Sequence, residues 1–399
     1  TGKDKSGFLI FDYCGNFEYF GMNPDGKEGK EIQSLSQRMF EIRLDMLYEL
    51  QRIEYQEDSW FHMYYDRIKA ELHAAVVKVK SHSKRIQVRE SMQYVDKYYN
   101  WDTWISLSPV MVKEVKKYIS PLLDSGLNGN HLSIAFDIRM FHVEKALLES
   151  GNLNSVVKHV KNIRLVAQYL VTEKASVPQV LSKAKELKTL VTEDFWKAAT
   201  VPELETMRES LRDLMVFIKD GGKKKHNIDI QDEIFESDFQ PDATMIDIRT
   251  YREKVIDYLA EHLDSTAIRK IHNLEPITNN DLVELEHILW HELGTQQDYN
   301  ETTDIGNLAA FVRSLIGVSQ EAVNEKFGEY LNGNLLNAQQ QEFVRTIINY
   351  ARENGDVELA DMVNTEPFKN YNLTEIFGLN FPALVTVINL LHTTIQVAA

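Results

Sequence analysis

Five basic side chains lie close together in the first quarter of the chain, with no acidic residue among them. Clustered cations bind the phosphate backbone of DNA, which positions a duplex without reading its bases. An exposed basic turn between two helices would show the same pattern. The segment is therefore predicted to be either a DNA-backbone contact or a solvated junction, and its cations are Lys78, Lys80, Lys84, Arg85 and Arg89.

An aromatic cluster follows this basic segment. Such rings can stack on the bases of single-stranded nucleic acid, and they can equally fill a core between packed helices. We favour the core interpretation for the cluster, which consists of Tyr94, Tyr98, Tyr99, Trp101 and Trp104.

Two histidines, His287 and His291, stand four residues apart in a predicted helix, a spacing that can bind Zn²⁺. In zinc proteases a glutamate directly follows the first histidine, but Ile288 stands there in this chain, and a third ligand is not evident. The favoured interpretation is a core stripe of Leu285, Ile288 and Leu289 flanked by the two histidines. A metal-dependent hydrolase that uses His287 and His291 is the least favoured function.

Two further fragments contain the residue types of a metal-dependent nuclease, which uses an Asp and a Glu-x-Lys pair to hold Mg²⁺. The first is too short and too rich in glycine for paired strands. The second falls in a predicted helix, where residues two positions apart do not face each other. Both are predicted to be solvated surface, and they comprise Asp25, Glu28 and Lys30, and Asp102, Glu114 and Lys116.

Motifs of nucleotide-dependent and hydrolytic enzymes are missing from the sequence. It contains no phosphate-binding loop, nucleophile elbow, kinase motif set or dinucleotide fingerprint. The single Cys14 cannot form an internal disulfide or a thiolate cluster and suits a reducing cytoplasm. No apolar run approaches the roughly 18 residues of a membrane span. We therefore expect a cytoplasmic chain with no catalytic residues and no cofactor of its own.

Apolar residues recur every three to four positions over most of the chain, which predicts an overwhelmingly α-helical fold. Asp58 can cap the start of one helix, Gly151 can end another, and Thr278 with Asp281 resembles a capping box. One helix is predicted to begin near Leu282. The others are predicted at residues 30–55, 58–79, 86–99, 108–122, 132–150, 153–173, 177–190, 201–219, 248–262, 305–316, 319–331, 337–353, 357–363 and 382–398.

Two segments depart from this helical pattern. Residues 7–20 read GFLIFDYCGNFEYF, and their apolar run at 8–11 is typical of a buried β-strand, although no neighbouring strand is predicted. Residues 221–247 begin with two glycines and are strongly acidic. We interpret them as an extended connector between two helical domains.

The net charge of −16 is distributed unevenly. Residues 1–199 contain 28 Lys and Arg against 26 Asp and Glu, a net of +2, whereas residues 200–399 contain 16 against 34, a net of −18. Because DNA binding draws on cationic surface, the acidic second half is poorly suited to lie on DNA. Residues 1–199 could still lie on DNA.

Five segments carry a distinctive sequence, among them LAAFVRSLIG near the end of the chain; they lie at residues 2–20, 34–40, 204–215, 308–317 and 327–348. Together they resemble the C-terminal region of the R (restriction) subunit of type I restriction-modification enzymes. The first segment resembles the stretch that follows the last motor motif. The middle of the chain, about residues 55–200, is matched more by pattern than by residue.

The resemblance implies a full subunit with a nuclease domain, two RecA-like ATPase lobes and a helical C-terminal region. That subunit uses ATP and Mg²⁺ to translocate double-stranded DNA past a methyltransferase–specificity core before it cuts. The family's nuclease carboxylates and phosphate-loop residues have no counterpart here. The chain is therefore expected to be a non-catalytic part that couples the motor to the methyltransferase and specificity subunits and contacts the DNA backbone. A free-standing helical adaptor is the alternative.

On this interpretation the fold is mainly α, with two helical domains and a short N-terminal strand segment left over from a RecA-like motor lobe. The expected divisions are the tail of the second motor lobe, a helical coupling domain, the acidic connector and a helical docking domain, at residues 1–25, 26–220, 221–247 and 248–399.

Overall fold

Helices account for the regular structure in the computed structural model, which describes residues 33–124, 130–218, 250–333 and 335–396. Within these ranges no β-strand occurs. The mainly α prediction is thereby confirmed. The strand predicted at residues 8–11 and the acidic connector predicted at 221–247 lie outside the described residues.

In the first half, a few long helices alternate with short ones. The α-helices are α1 (Leu35–Leu50), α2 (Ile53–Gln56), α3 (Ser59–Ser81), α4 (Ile86–Glu90), α5 (Met92–Tyr99), α6 (Pro109–Glu114), α7 (His131–Ser150), α8 (Val157–Glu173), α9 (Pro178–Ser182), α10 (Ala184–Val191), α11 (Glu193–Ala198) and α12 (Val201–Leu211).

Helix α1 lies at the centre of the first half and packs on α3 and α7. Its apolar positions Leu44, Met46 and Leu50 are completely buried, because the helix has neighbours on several sides. Helix α7 is buried on two faces: one joins the α1 cluster, and the other joins α8, α10 and α12 in a second apolar cluster. The long helices thus share one continuous framework.

The second half contains shorter helices around one buried helix. They are α13 (Tyr251–Glu261), α14 (Thr266–His272), α15 (Asn279–His287), α16 (Gln296–Thr302), α17 (Leu308–Ile316), α18 (Gln320–Asn332), α19 (Ala338–Asn354), α20 (Asp361–Asn364), α21 (Leu373–Phe377) and α22 (Phe381–Thr393).

Helix α17 is the centre of this half, and all nine of its residues are buried. It packs on α14, α15 and α19, and also on α6 of the first half. Val110 of α6 accordingly belongs to the same apolar cluster as α13 and α17. Residues 35–399 form one compact unit by their contacts. The domain limits expected at 26–220 and 248–399 stay predictions.

The helix ends follow the capping signals in the sequence. The Asp58 side chain accepts hydrogen bonds from the amides of Trp60 and Phe61 at the start of α3. Thr278 and Asp281 form the capping box that begins α15. Gly151 ends α7 in the left-handed conformation, with φ of 65°, a conformation that glycine adopts without steric cost.

Two predicted helices are interrupted by π-helical turns, and several short helices were not predicted. The helix expected at 108–122 becomes α6, a π-turn at Val115–Ile119 and a 3₁₀ turn at Ser120–Leu122. A second π-turn, Ile288–Glu292, follows α15. The helices α11, α14 and α16 span only six or seven residues each. Such lengths hold too few apolar positions to show a period.

The segment Leu373–Thr393 is long and apolar enough to cross a membrane by length and composition. It is not one continuous α-helix, because the 3₁₀ turn Gly378–Asn380 separates α21 from α22. Four apolar residues of α22 are buried against α19 and its neighbours: Leu384, Val387, Ile388 and Leu391. This stripe is the pattern of a helix that packs on a protein core.

Candidate functional site

The basic segment predicted at residues 78–89 spans the end of α3, a turn and α4. Lys78 and Lys80 occupy the last turn of α3, where a cation interacts favourably with the helix dipole. Arg85 occupies the residue position directly before α4, and Arg89 lies in the last turn of that helix. Lys84 belongs to the intervening turn.

Asp124 neutralises two of these five cations. Its carboxylate lies 3.2 Å from the Lys78 ammonium and 3.0 Å from the Arg85 guanidinium. The hydrogen bond from Lys78, together with the charges of His82 and Arg85, lowers the pKa of Asp124. The sequence window from 78 to 89 contains no acid, but the fold brings one to it from 35 positions further on.

The remaining cations divide into one that is paired and two that are free. Lys80 lies 3.2 Å from an Asp96 carboxylate oxygen and 3.5 Å from the centre of the Tyr99 ring. Lys84 and Arg89 are exposed, and their side chains make no ion pair or hydrogen bond with any residue that the structure describes. A phosphate group approaching this segment would find Lys84 and Arg89 available without breaking an internal contact.

The aromatic cluster is divided between core and surface. Tyr98 and Trp104 are fully buried, and the Trp104 indole donates to the Tyr98 carbonyl at 2.8 Å. Tyr94 stacks on Tyr118 with ring centres 3.8 Å apart. Tyr99 and Trp101 are partly exposed. The buried members support a packing role for this cluster, which was the favoured interpretation.

The nuclease-like pair Glu114 and Lys116 is separated by its contacts. Glu114 is buried and accepts hydrogen bonds at 2.6 Å from both Lys97 and the Tyr98 hydroxyl. Lys116 instead forms an ion pair with Asp45 of α1. The two side chains therefore serve different packing interfaces. The other fragment, with Asp25, lies outside the described residues.

The two histidines that could bind zinc do lie near each other, with ring centres 5.9 Å apart. Both are exposed, and His287 forms a 3.0 Å contact with Glu292. The π-turn that begins at Ile288 places one of them at the end of α15 and the other in the turn. Leu285 and Leu289 of the same stretch are buried. The arrangement fits the predicted core stripe with histidines at its margin.

A different group of metal-ligand residues comes together near the end of the chain. Potential ligand atoms of Asp356, Glu358 and His392 lie within 4.8 Å of one another. His392 already contacts Asp356 at 2.8 Å through Nδ1 and Gln396 through Nε2. The buried charge of Arg313 also acts on Asp356. The contact between His392 and Asp356 accounts for two of the three side chains without a metal ion. The group was not predicted, because His392 lies 34 positions after Glu358 and 36 after Asp356 in the sequence.

A buried charge network joins α3, α7 and α12. The Arg208 guanidinium donates to Glu205 at 2.6 Å and to Asp137 at 2.9 Å, and Arg212 donates to Asp137 at 2.8 Å. Arg67 of α3 forms an ion pair with Glu205. Asp137 and Glu205 are almost completely buried, so each carboxylate depends on its arginine partners. No signal in the sequence pointed to this network.

The comparisons with known proteins support the resemblance seen in the sequence. Residues 249–395 match the family model described as EcoEI R protein C-terminal. This part of the chain is similar to the C-terminal region of the R subunit of type I restriction enzymes. No curated protein and no solved structure shows a significant match to the chain. The matched residues run from the start of α13 to the end of α22, so helix α17 and its apolar cluster, apart from Val110 of α6, lie within the matched part.

Proposed function

We propose that this chain is the helical part of a type I R subunit that couples the ATP-driven motor to the methyltransferase–specificity core. The family match over residues 249–395 is the observation that carries the proposal. The full subunit would be an ATP-dependent translocase and endonuclease that requires ATP and Mg²⁺ and works in the cytoplasm. This chain would contribute no catalytic residue.

The contacts between the two halves support a role in transmitting force. Helix α6 packs on both α13 and α17. Lys113 forms an ion pair with Asp257, and Lys117 lies 3.1 Å from Glu261. Packing of this kind lets a displacement of one element move the other as a body. The two halves would then act as a lever rather than as independent modules.

The charge distribution supports a division of labour between the halves. Residues 30–219 would lie near the DNA path, and residues 250–399 would dock on the other subunits, because residues 1–199 have a net charge of +2 and residues 200–399 a net charge of −18. Lys84 and Arg89 are the basic-segment residues with free charges, so they are the best candidates for a phosphate contact.

Co-elution tests the proposed coupling role. The purified chain is mixed with the methyltransferase–specificity core and analysed by size-exclusion chromatography. We expect a stable complex and, from the chain alone, neither ATP hydrolysis nor DNA cleavage. Failure to associate, or catalytic activity of the isolated chain, would contradict the proposal.

The DNA contact is tested in the full subunit with Lys84→Gln and Arg89→Gln combined. Two lost phosphate contacts lower the salt slope of binding by about 2, so DNA-stimulated ATP hydrolysis should weaken and become less steeply dependent on salt. Lys158→Gln with Lys161→Gln is the matched control, since both lysines are exposed on α8. An unchanged salt dependence in the first variant would exclude this contact.

A further inference from the structure

A groove of about 230 Å³ lies between α1 and α3, away from the residues assigned above to packing of the two halves. Its floor is apolar and includes Met39, Phe40, Leu72 and Ala75. Ligand pockets for whole small molecules usually measure about 300 Å³ or more. The groove is therefore of a size that takes one or two inserted side chains rather than a complete cofactor.

Two residues that line this groove each carry a buried polar atom without a partner in the part of the chain that the structure describes. Ser36 is only 6% exposed, and its Oγ makes no hydrogen bond with the part of the chain that the structure describes. The same holds for Nε of Arg43, whose terminal nitrogen contacts Glu71. Leaving buried donors unpaired is costly, so these atoms point to a ligand that supplies acceptors.

The positions of the two donor residues along α1 bear on the shape of that ligand. Arg43 lies seven positions after Ser36 in α1, so at about 1.5 Å per residue their backbones are about 10 Å apart along the helix axis. An extended polypeptide covers about 10 Å in three residues, and its carbonyl oxygens are free to accept. A helical peptide would have its carbonyl groups already bonded. The donors therefore favour an extended segment.

The charges at the rim of the groove favour a polypeptide ligand over a nucleic acid. Lys78 and His82 stand there beside the carboxylates of Glu71 and Asp124. A rim of mixed charge over an apolar floor does not complement a phosphate backbone. It suits a segment that carries an apolar side chain between polar neighbours.

We propose that the groove between α1 and α3 binds an extended segment of a partner polypeptide, with backbone carbonyls on Ser36 and Arg43 and an apolar side chain on the floor. The proposal rests on the proposed function for the source of the segment, which is the methyltransferase–specificity core. It adds the surface and the mode of recognition.

Site-specific cross-linking in the assembled complex tests this assignment. A diazirine amino acid replaces Ala75, which lines the groove, or Ala74, which is its exposed neighbour on α3. We expect the residue at 75 to cross-link a polypeptide of the core at least tenfold more than the residue at 74. Cross-linking to DNA, equal cross-linking at both positions, or none at 75 in a complex that has assembled would overturn the groove assignment. Failure of the unmodified subunit to assemble would instead overturn the proposed function.

Two substitutions separate ligand binding from folding. Ser36→Ala removes a donor that is unpaired in the free protein, so it should leave the Tm unchanged or higher while weakening association by about threefold to tenfold, the value of one hydrogen bond. Ala75→Leu fills the floor and should weaken association, whereas Ala74→Leu should not. Association unchanged by both Ser36→Ala and Ala75→Leu would overturn the proposal.

Discussion

Two largely buried arginines, one in each half of the chain, are stabilised in different ways. In the first half, Arg208 donates to two carboxylates, Asp137 and Glu205. In the second half, Arg313 is completely buried and donates to a backbone carbonyl and a threonine hydroxyl at the end of α22. Burial lowers the pKa of Arg313 to about 10. Arg208 thus pairs with carboxylates, whereas the hydrogen bonds of Arg313 go to uncharged groups.

This difference predicts how much the loss of each arginine would destabilise the fold. A carboxylate that loses its arginine is left buried and uncompensated, which is expensive. A lone cation carries its own desolvation penalty, so replacing it with an apolar side chain removes a cost as well as a bond. Glu353, in the cavity between α1 and α19, also bears a desolvation cost when it is charged, because burial raises its pKa to about 7.

The largest effect is expected from Arg208→Met. It leaves Asp137 and Glu205 buried with fewer partners, so the free energy of unfolding should fall by about 3 to 5 kcal/mol. Arg313→Met should change it by about 1 kcal/mol or less, since the Thr394 hydroxyl still donates to the Leu391 carbonyl. Urea denaturation at pH 7 measures both. Equal losses in the two variants would show that the halves do not differ in this way.

A smaller effect with a distinctive pH dependence is expected from Glu353→Gln. The folded protein retains a proton on Glu353 that the unfolded chain releases, so this residue lowers the free energy of unfolding as the pH rises from about 4.5 to 7. The glutamine variant should exceed the wild type by about 2 to 3 kcal/mol at pH 7.5 and by less than about 1 kcal/mol at pH 5. Denaturation curves at both pH values provide the comparison, and a constant difference would contradict it.

The smallest effect, with the opposite sign, is expected from Glu205→Gln. Burial alone would raise the pKa of Glu205, but the hydrogen bonds and charge of Arg208, aided by Arg67, outweigh burial and lower it. A carboxyl of this kind stabilises the fold above its unfolded pKa and loses that contribution as the pH falls. The variant should be about 2 kcal/mol less stable at pH 7, with the deficit shrinking towards pH 3 in the same denaturation assay. A deficit independent of pH would indicate lost packing rather than lost charge pairing.

The helices were largely predictable from the sequence, because long amphipathic segments repeat their apolar positions over several turns. Helices α3, α7 and α19 coincide with predicted segments to within two residues, as do the caps at Asp58, Gly151 and Thr278. Helix α1 lies within the longer segment predicted at 30–55. The region predicted at 357–363 is helical only at Asp361–Asn364. Short helices and π-turns depend on tertiary packing, which no local pattern reports.

The sites were less predictable, because their charges are assembled from distant segments. The basic segment contains no acid, yet Asp124 and Asp96 pair with three of its cations. Arg208 and Asp137 lie 71 residues apart. The groove donors on Ser36 and Arg43 were identified because they lack hydrogen-bond partners among the described residues, which the sequence does not show. Sequence spacing could therefore identify candidate charged residues, but it could not show which of them lack an ion-pair partner in the fold.

The hydrogen bond from Arg313 to the end of α22 has a consequence for synthesis of the chain on the ribosome. The carbonyl that receives the guanidinium lies 78 residues further along the chain. During synthesis α17 therefore emerges well before the helix that closes over it, with a cation and a wholly apolar surface still uncovered. Chains grow at about 5 to 20 residues per second, so the end of α22 is synthesised seconds after α17. The buried guanidinium can therefore reach its hydrogen-bond partners only once the chain has grown to residue 394.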